Sequence, residues 1–196
     1  MKLLVLVILS VGLAQSATIQ FVTPPTNGDN GTLNGYAGAS VDNIETLLIC
    51  DDHADVTYIP SGPWQFTETS LSGDLNTTLF LSLNTYTVVA TLAWEALADP
   101  DNIATYQYAI WQATNNSVAP YRQSDVLLAL ARSQPADQTI LDSFRIYSPI
   151  GDAKGNQEFV GFANGTEAPE PNTLLAVPGG LLIVVRRFLR WSRRRA

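Results

Sequence analysis

Apolar and polar positions alternate in different ways along the chain, and the changes in pattern mark its elements. From Thr18 to Asn43, short apolar islands such as Ile19-Gln20-Phe21-Val22 sit among Gly, Asn, Pro and Thr, which signals turns and short strands. Ile44–Cys50 reads as a better strand and runs into Asp51-Asp52-His53-Ala54-Asp55. Val56-Thr57-Tyr58-Ile59 then leads to the turn Pro60-Ser61-Gly62-Pro63, and Trp64-Gln65-Phe66-Thr67 alternates like a half-buried strand. Between Leu75 and Leu97 the spacing changes. Leu79, Leu83, Tyr86, Ala90, Ala93, Trp94 and Leu97 recur every three or four positions, which predicts a helix over at least Thr85–Ala98.

Asp99-Pro100 offers an N-cap with Pro at the first helical position, opening a second helix through about Ala113. Ser124 is expected to cap a third over Asp125–Ser133. After Pro135 the chain is expected to return to strands, at Ser143–Ser148 and Gln157–Phe162, separated by the Gly-rich Pro149–Gly155. Strands, two or three helices in the middle, then strands predict an α+β domain. Its strands would be mainly antiparallel in one sheet, and hydrophobic helices would lie at the chain termini.

The two ends follow a different logic. Lys2 precedes the apolar run Leu3–Leu13, and Ala14-Gln15-Ser16 supplies small residues at a cleavage site, so residues 1–16 read as a secretory signal peptide cut after Ser16. At the other end, Pro169-Glu170-Pro171 precedes the apolar stretch Leu174–Val185. The arginines Arg186, Arg187, Arg190, Arg193, Arg194 and Arg195 follow as a basic stop held on the cytoplasmic side. Between them lies a body, residues 17–168, of one ordinary domain.

The terminal module, residues 169–196, resembles the PEP-CTERM sorting signal. That resemblance implies cutting near Pro169-Glu170-Pro171 by an exosortase, a membrane-embedded transpeptidase. The body would be membrane-anchored through its C-terminus and reach the cell surface or extracellular matrix after processing. The apolar stretch is short, since about twelve residues span about 18 Å against a hydrocarbon core of about 30 Å, and Pro178-Gly179-Gly180 interrupts it. A basic amphipathic surface helix is the alternative to a membrane span.

Charge and composition narrow the function. Hydrophobic residues make up 46% and charged residues 15%, the balance of a folded chain. Thr18–Ala168 carries seventeen acidic residues against Arg122, Arg132, Arg145 and Lys154, a net charge of −13 that repels phosphate backbones and argues against nucleic-acid binding. One Cys and one His leave no disulfide framework, zinc cluster or haem ligand set, so no cofactor is expected. Asp51, Asp52, Asp55 and His53 could hold a divalent cation or be solvated turn charges. Their spacing is not that of a calcium loop, and no metal site is assigned.

No nucleophile elbow or phosphate loop is present, and no catalytic residue is assigned; a hydrolase is a distant third reading. His53 could act as a base for Cys50 only if the strand turned back, since three positions along an extended strand face opposite ways.

Cys50 has two readings: a buried small hydrophobe, or the thiol of an internal thioester formed with a Gln side chain and later opened by an amine. Ile49-Cys50, the turn Gly62-Pro63-Trp64, the helix near Ala90–Trp94 and Gln107-Tyr108-Ala109-Ile110-Trp111 together resemble the bacterial thioester domains of surface adhesins. The body is also similar to a group of PEP-CTERM proteins. There the matching elements are Cys50-Asp51-Asp52, Gln107–Trp111, Ile146-Tyr147-Ser148-Pro149 and Gln157-Glu158-Phe159. These resemblances imply Cys50 as thiol and Gln107 as acyl donor, with Trp64, Tyr108 and Trp111 shielding the bond from water and an amine-bearing ligand as partner. A non-covalent structural or interaction domain of the matrix on the same fold is the alternative.

Overall fold

The computed structural model of the chain describes residues 15–25 and 35–163. Six strands form a closed antiparallel barrel: β1 (Gln15–Thr23), β2 (Tyr36–Val41), β3 (Ile44–Cys50), β4 (Ser61–Ser70), β5 (Phe144–Pro149) and β6 (Phe159–Phe162). Around the barrel the order is β1-β2-β3-β6-β5-β4, and β4 returns to β1 through pairs such as Ala17 with Phe66 and Ile19 with Trp64. Four helices are inserted between β4 and β5: α1 (Leu83–Ala98), α2 (Ile103–Thr114), α3 (Ser124–Ser133) and α4 (Gln138–Ser143).

This corrects the expected α+β domain with its strands in one sheet. The strands are antiparallel as paired, but the sheet is closed on itself, and a closed sheet has no edge. Closure rests on β1 with β4 and β3 with β6, contacts between segments far apart in sequence that no local periodicity encodes. The stretch from Thr18, read as turn-rich islands, contributes most of the nine-residue strand β1.

Helix α1 begins two residues before the expected start, where the Ser82 hydroxyl accepts the Thr85 N–H at 3.3 Å. The second expected helix is divided: Pro100–Asn102 forms a 3-10 turn before α2 starts at Ile103. Ser124 is not a cap but the first residue of α3, with its hydroxyl donating to Gln112 Oε1 at 2.7 Å. Helix α4 lies where a return to strands was expected, capped by the Asp137 carboxylate on the Thr139 N–H.

The hydrophobic core is in two parts that share β3, because successive strand residues face opposite ways. Leu48 and Cys50 join Ile19, Phe21, Val41, Phe66, Tyr147 and Phe159 in one cluster, the barrel interior. Ile49 joins Phe144, Ile146, Val160 and Phe162 on the outer face of β3, β6 and β5, where α1, α2 and α3 cover them with Tyr86, Val89, Leu92, Tyr106, Ile110 and Leu127. At the β2–β3 turn, Asp42 and Asn43 both take positive φ (49° and 68°), as a two-residue hairpin turn requires.

The apolar run Leu3–Leu13, Pro169-Glu170-Pro171, the stretch Leu174–Val185 and the C-terminal arginines all lie outside the described residues, as do the expected terminal hydrophobic helices. Among the described residues no helix is long and apolar enough to cross a membrane. Strand β1 includes Gln15 and Ser16, paired with Glu68 and Thr67, so a cut after Ser16 would remove its first two residues.

The β3–β6 seam depends on Gly161, which pairs with Leu48. A Cβ there would collide with Leu48 Cδ2 and come within 2.9 Å of the Leu47 carbonyl oxygen. Gly161→Ala is therefore expected to lower unfolding stability by about 1–3 kcal/mol, read as an earlier urea midpoint with an unchanged m-value.

Candidate functional site

The last residue of β3 and one stripe of α2 define the site. Gln107, Trp111 and Thr114 recur at four- and three-residue spacings, so they share a helix face, and that face lies over the end of β3. The Gln107 amide Nε2 donates to the Cys50 carbonyl at 2.6 Å, and its Oε1 accepts the Gly35 N–H at 3.3 Å. Thr114 Oγ1 donates to the Asp51 carbonyl at 2.7 Å. Gly35 holds φ at +107° and a Cβ would meet Ile103, so glycine is what lets this N–H approach the amide.

Cys50 and Gln107 are thus brought together and closed off, at 8% and 1% exposure. The Cys50 thiol donates to the Asp52 carbonyl at 2.8 Å. Burial pushes this thiol well above its ordinary pKa, and the neighbouring Asp51 pushes the same way. The nearby Trp111 indole lowers it by less, and its N–H finds no hydrogen-bond partner among the described residues.

Of the expected shields, Trp111 is buried in the same cluster as Cys50. Tyr108 lies behind it, edge-on with ring centroids 5.3 Å apart, and stacks on Tyr121 at 4.6 Å. Trp64 is half-buried on β4 against the barrel-interior cluster that contains Cys50, with its indole N–H donating to Ser61 Oγ at 3.2 Å.

The acidic group at Asp51, Asp52, Asp55 and His53 does not converge. Among the described residues no three Asp, Glu, His or Cys side chains are placed to hold a metal. Asp52 Oδ1 accepts the Ala54 N–H at 2.7 Å, while the Asp51 side chain turns inward to Glu158. Glu158 accepts the Leu79 N–H at 2.9 Å and the hydroxyls of Tyr86 and Ser148, three donors that favour its charged form. Asp51 is fully buried and receives no donor at either carboxyl oxygen among the described residues. Burial first, then the charge of Glu158, hold its pKa well up.

Sequence reasoning missed Gly35, Asp52 and Glu158 as parts of this site. Gly35 precedes a strand that carries no chemistry of its own, and Glu158 lies more than one hundred positions beyond Cys50. Cys50-Asp51-Asp52 and Gln157-Glu158-Phe159 were matched as motifs, but their juxtaposition was not. No known protein family, curated protein or solved structure matches the chain.

The buried carboxyls fix the sign of the pH dependence of stability. Asp51, Asp52, Glu68, Glu95 and Glu158 all have pKa values raised by burial, so at these groups the folded chain binds more protons than the unfolded one. Their contribution is present below the unfolded carboxylate range, near pH 4, and is lost as pH rises through the folded values. Thermal melts are expected to show a falling Tm between about pH 5 and pH 8, and Asp51→Asn, which keeps a donor for Glu158, to flatten that slope.

Proposed function

We propose that the chain is an exported surface or matrix protein and that its barrel and helices form a covalent attachment module, with Cys50 and Gln107 closing an internal thioester. The observation that carries this reading is the grip on the Gln107 amide. Its nitrogen is held by the carbonyl of Cys50 and its oxygen by the Gly35 N–H, both sealed from water. Attack of sulfur on Gln107 Cδ places negative charge on Oε1, where the Gly35 N–H already points. The C–S bond forms and the C–N bond breaks. The amide nitrogen leaves as ammonia, taking the thiol proton with it.

Burial supports the same reading, since water is the competitor that hydrolyses a stored acyl group and both partners are closed off from it. Once formed, the bond would be opened by a primary amine, giving a substituted amide on Gln107 and a free thiol on Cys50. The route to the surface rests on the sequence at the two ends: a leader, and Pro169-Glu170-Pro171 with its apolar stretch and arginines, which would bring the membrane and an exosortase as partners during sorting.

One observation favours a second reading, a non-covalent interaction domain. The two hydrogen bonds on Gln107 also satisfy a buried amide that does nothing further, and a neutral buried thiol is chemically quiet.

Intact mass spectrometry separates the two. The thioester predicts that the purified chain weighs about 17 Da less than its sequence, that methylamine adds about 31 Da and exposes a titratable thiol, and that Gln107→Ala abolishes the deficit. A full mass with a thiol that titrates on unfolding overturns the thioester.

A further inference from the structure

Strand β3 ends at Cys50, and one side chain pins the segment that follows. The Cys50 thiol and the Gln157 amide Nε2 both donate to the Asp52 carbonyl oxygen, each at 2.8 Å. The same Gln157 grips Thr57 twice: its Oε1 accepts the Thr57 N–H at 3.3 Å, and its own backbone N–H donates to Thr57 Oγ1 at 2.9 Å. Two residues further on, Ile59 packs against the cluster that contains Cys50. With Thr57 and Ile59 held against the fold, Val56 and Tyr58 are turned out to solvent, 61% and 80% exposed. Tyr58 is the most exposed large apolar side chain among the described residues. Two such side chains on a pinned segment add nothing to the core, and an ordered, exposed Tyr is the side chain that interfaces favour. The segment also carries the exposed Asp55 and no Lys or Arg from Asp51 to Pro60, on a body with a net charge of −13.

Resting on the thioester reading, we infer that Val56 and Tyr58, with Asp55 beside them, are the docking surface for the amine donor, and that the donor is a lysine in a polypeptide segment with apolar flanks. Charge complementarity selects this occupant. An acidic body attracts a cation, while a nucleic acid or an anionic lipid surface is repelled by the same charge. The Tyr58 ring offers its face to an ammonium group, and Val56 offers apolar surface to the neighbouring side chains and the lysine stem. The bond from the Asp52 carbonyl to the Cys50 thiol, and the grip of Gln157 on both Asp52 and Thr57, tie this surface to the acyl site. Docking therefore raises the local concentration of the amine there. The docked ammonium gives one proton to solvent. Its nitrogen then forms the C–N bond to Gln107 Cδ as the C–S bond breaks, and a second proton goes to sulfur, leaving an N-substituted Gln107 amide and a neutral thiol.

The test follows the mass of the full chain over time with two probes, methylamine and an N-acetylated peptide amide carrying one lysine between leucines, in the wild type, Val56→Ser and Tyr58→Ser. The wild type is expected to take up the peptide faster than methylamine at equal amine concentration. Each variant is expected to keep its deficit of about 17 Da and to lower the ratio of peptide rate to methylamine rate about 10-fold. A wild-type ratio in both variants, loss of the deficit in both, or a wild-type chain that takes up the peptide no faster than methylamine overturns the inference while leaving the thioester standing. So does a dimer in sedimentation velocity that Tyr58→Ser disperses, which assigns the surface to a second copy of the chain. Absence of the deficit in the wild-type chain overturns the thioester reading, and this inference with it.

Discussion

The hydrogen bond from the Gln107 amide to the Cys50 carbonyl, 2.6 Å long and sealed from water, joins the helical layer to the barrel at the last residue of β3. Beyond Cys50 the β3 backbone leaves the ladder, so its polar groups need partners from elsewhere. Gln107 takes the carbonyl of Cys50, Thr114 that of Asp51, and the Asp51 N–H reaches the Glu158 carbonyl at 3.3 Å. A buried backbone carbonyl left without a donor costs about 1–3 kcal/mol, so α2 is held in register along β3 by the same contacts that define the site. The placement of Trp111 and Tyr108 in the cluster that contains Cys50 follows from that register.

Closure of the barrel explains why this corner is so dry. With no free edge, β3 is flanked by β2 on one side and β6 on the other, and its last three residues, Leu48, Ile49 and Cys50, are buried on both faces. Leu48 and Cys50 face the interior, while Ile49 and Asp51 face the helices. An acid that continues a two-sided buried run is penalised in its charged form, and burial with the charge of Glu158 holds the pKa of Asp51 well up. The acid pair thus lies on the helix side of the strand and the thiol on the barrel side.

Legibility in the sequence followed the range of the interaction. The helix spacings of Leu83–Ala98 and Ser124–Ser133 are local, and the periodicity placed them within two residues. Closure is not local: β1 pairs with β4 across more than forty positions, and nothing in Gln15–Thr23 announces its partner. The site divides the same way. Gln107 and Trp111 are four apart on one helix and could be singled out as a unit, with Cys50 set beside them by motif. Gly35 and Glu158 could not, since an N–H of a turn glycine and an acid in a short strand look like any others until the fold aims them. The strand ends at Cys50, where the alternation placed it, and His53 lies in the turn that follows, against Trp111.

The electrostatics of the corner set two demands that pull against each other. An acyl group stored on sulfur survives only where water is excluded, and Cys50 and Gln107 meet that demand. The same exclusion raises the thiol, so sulfur becomes a poor leaving group unless a proton reaches it as the bond breaks. Asp51 cannot relieve this. It lies on the opposite side of the strand, fully buried, and its negative charge would push the thiol further up.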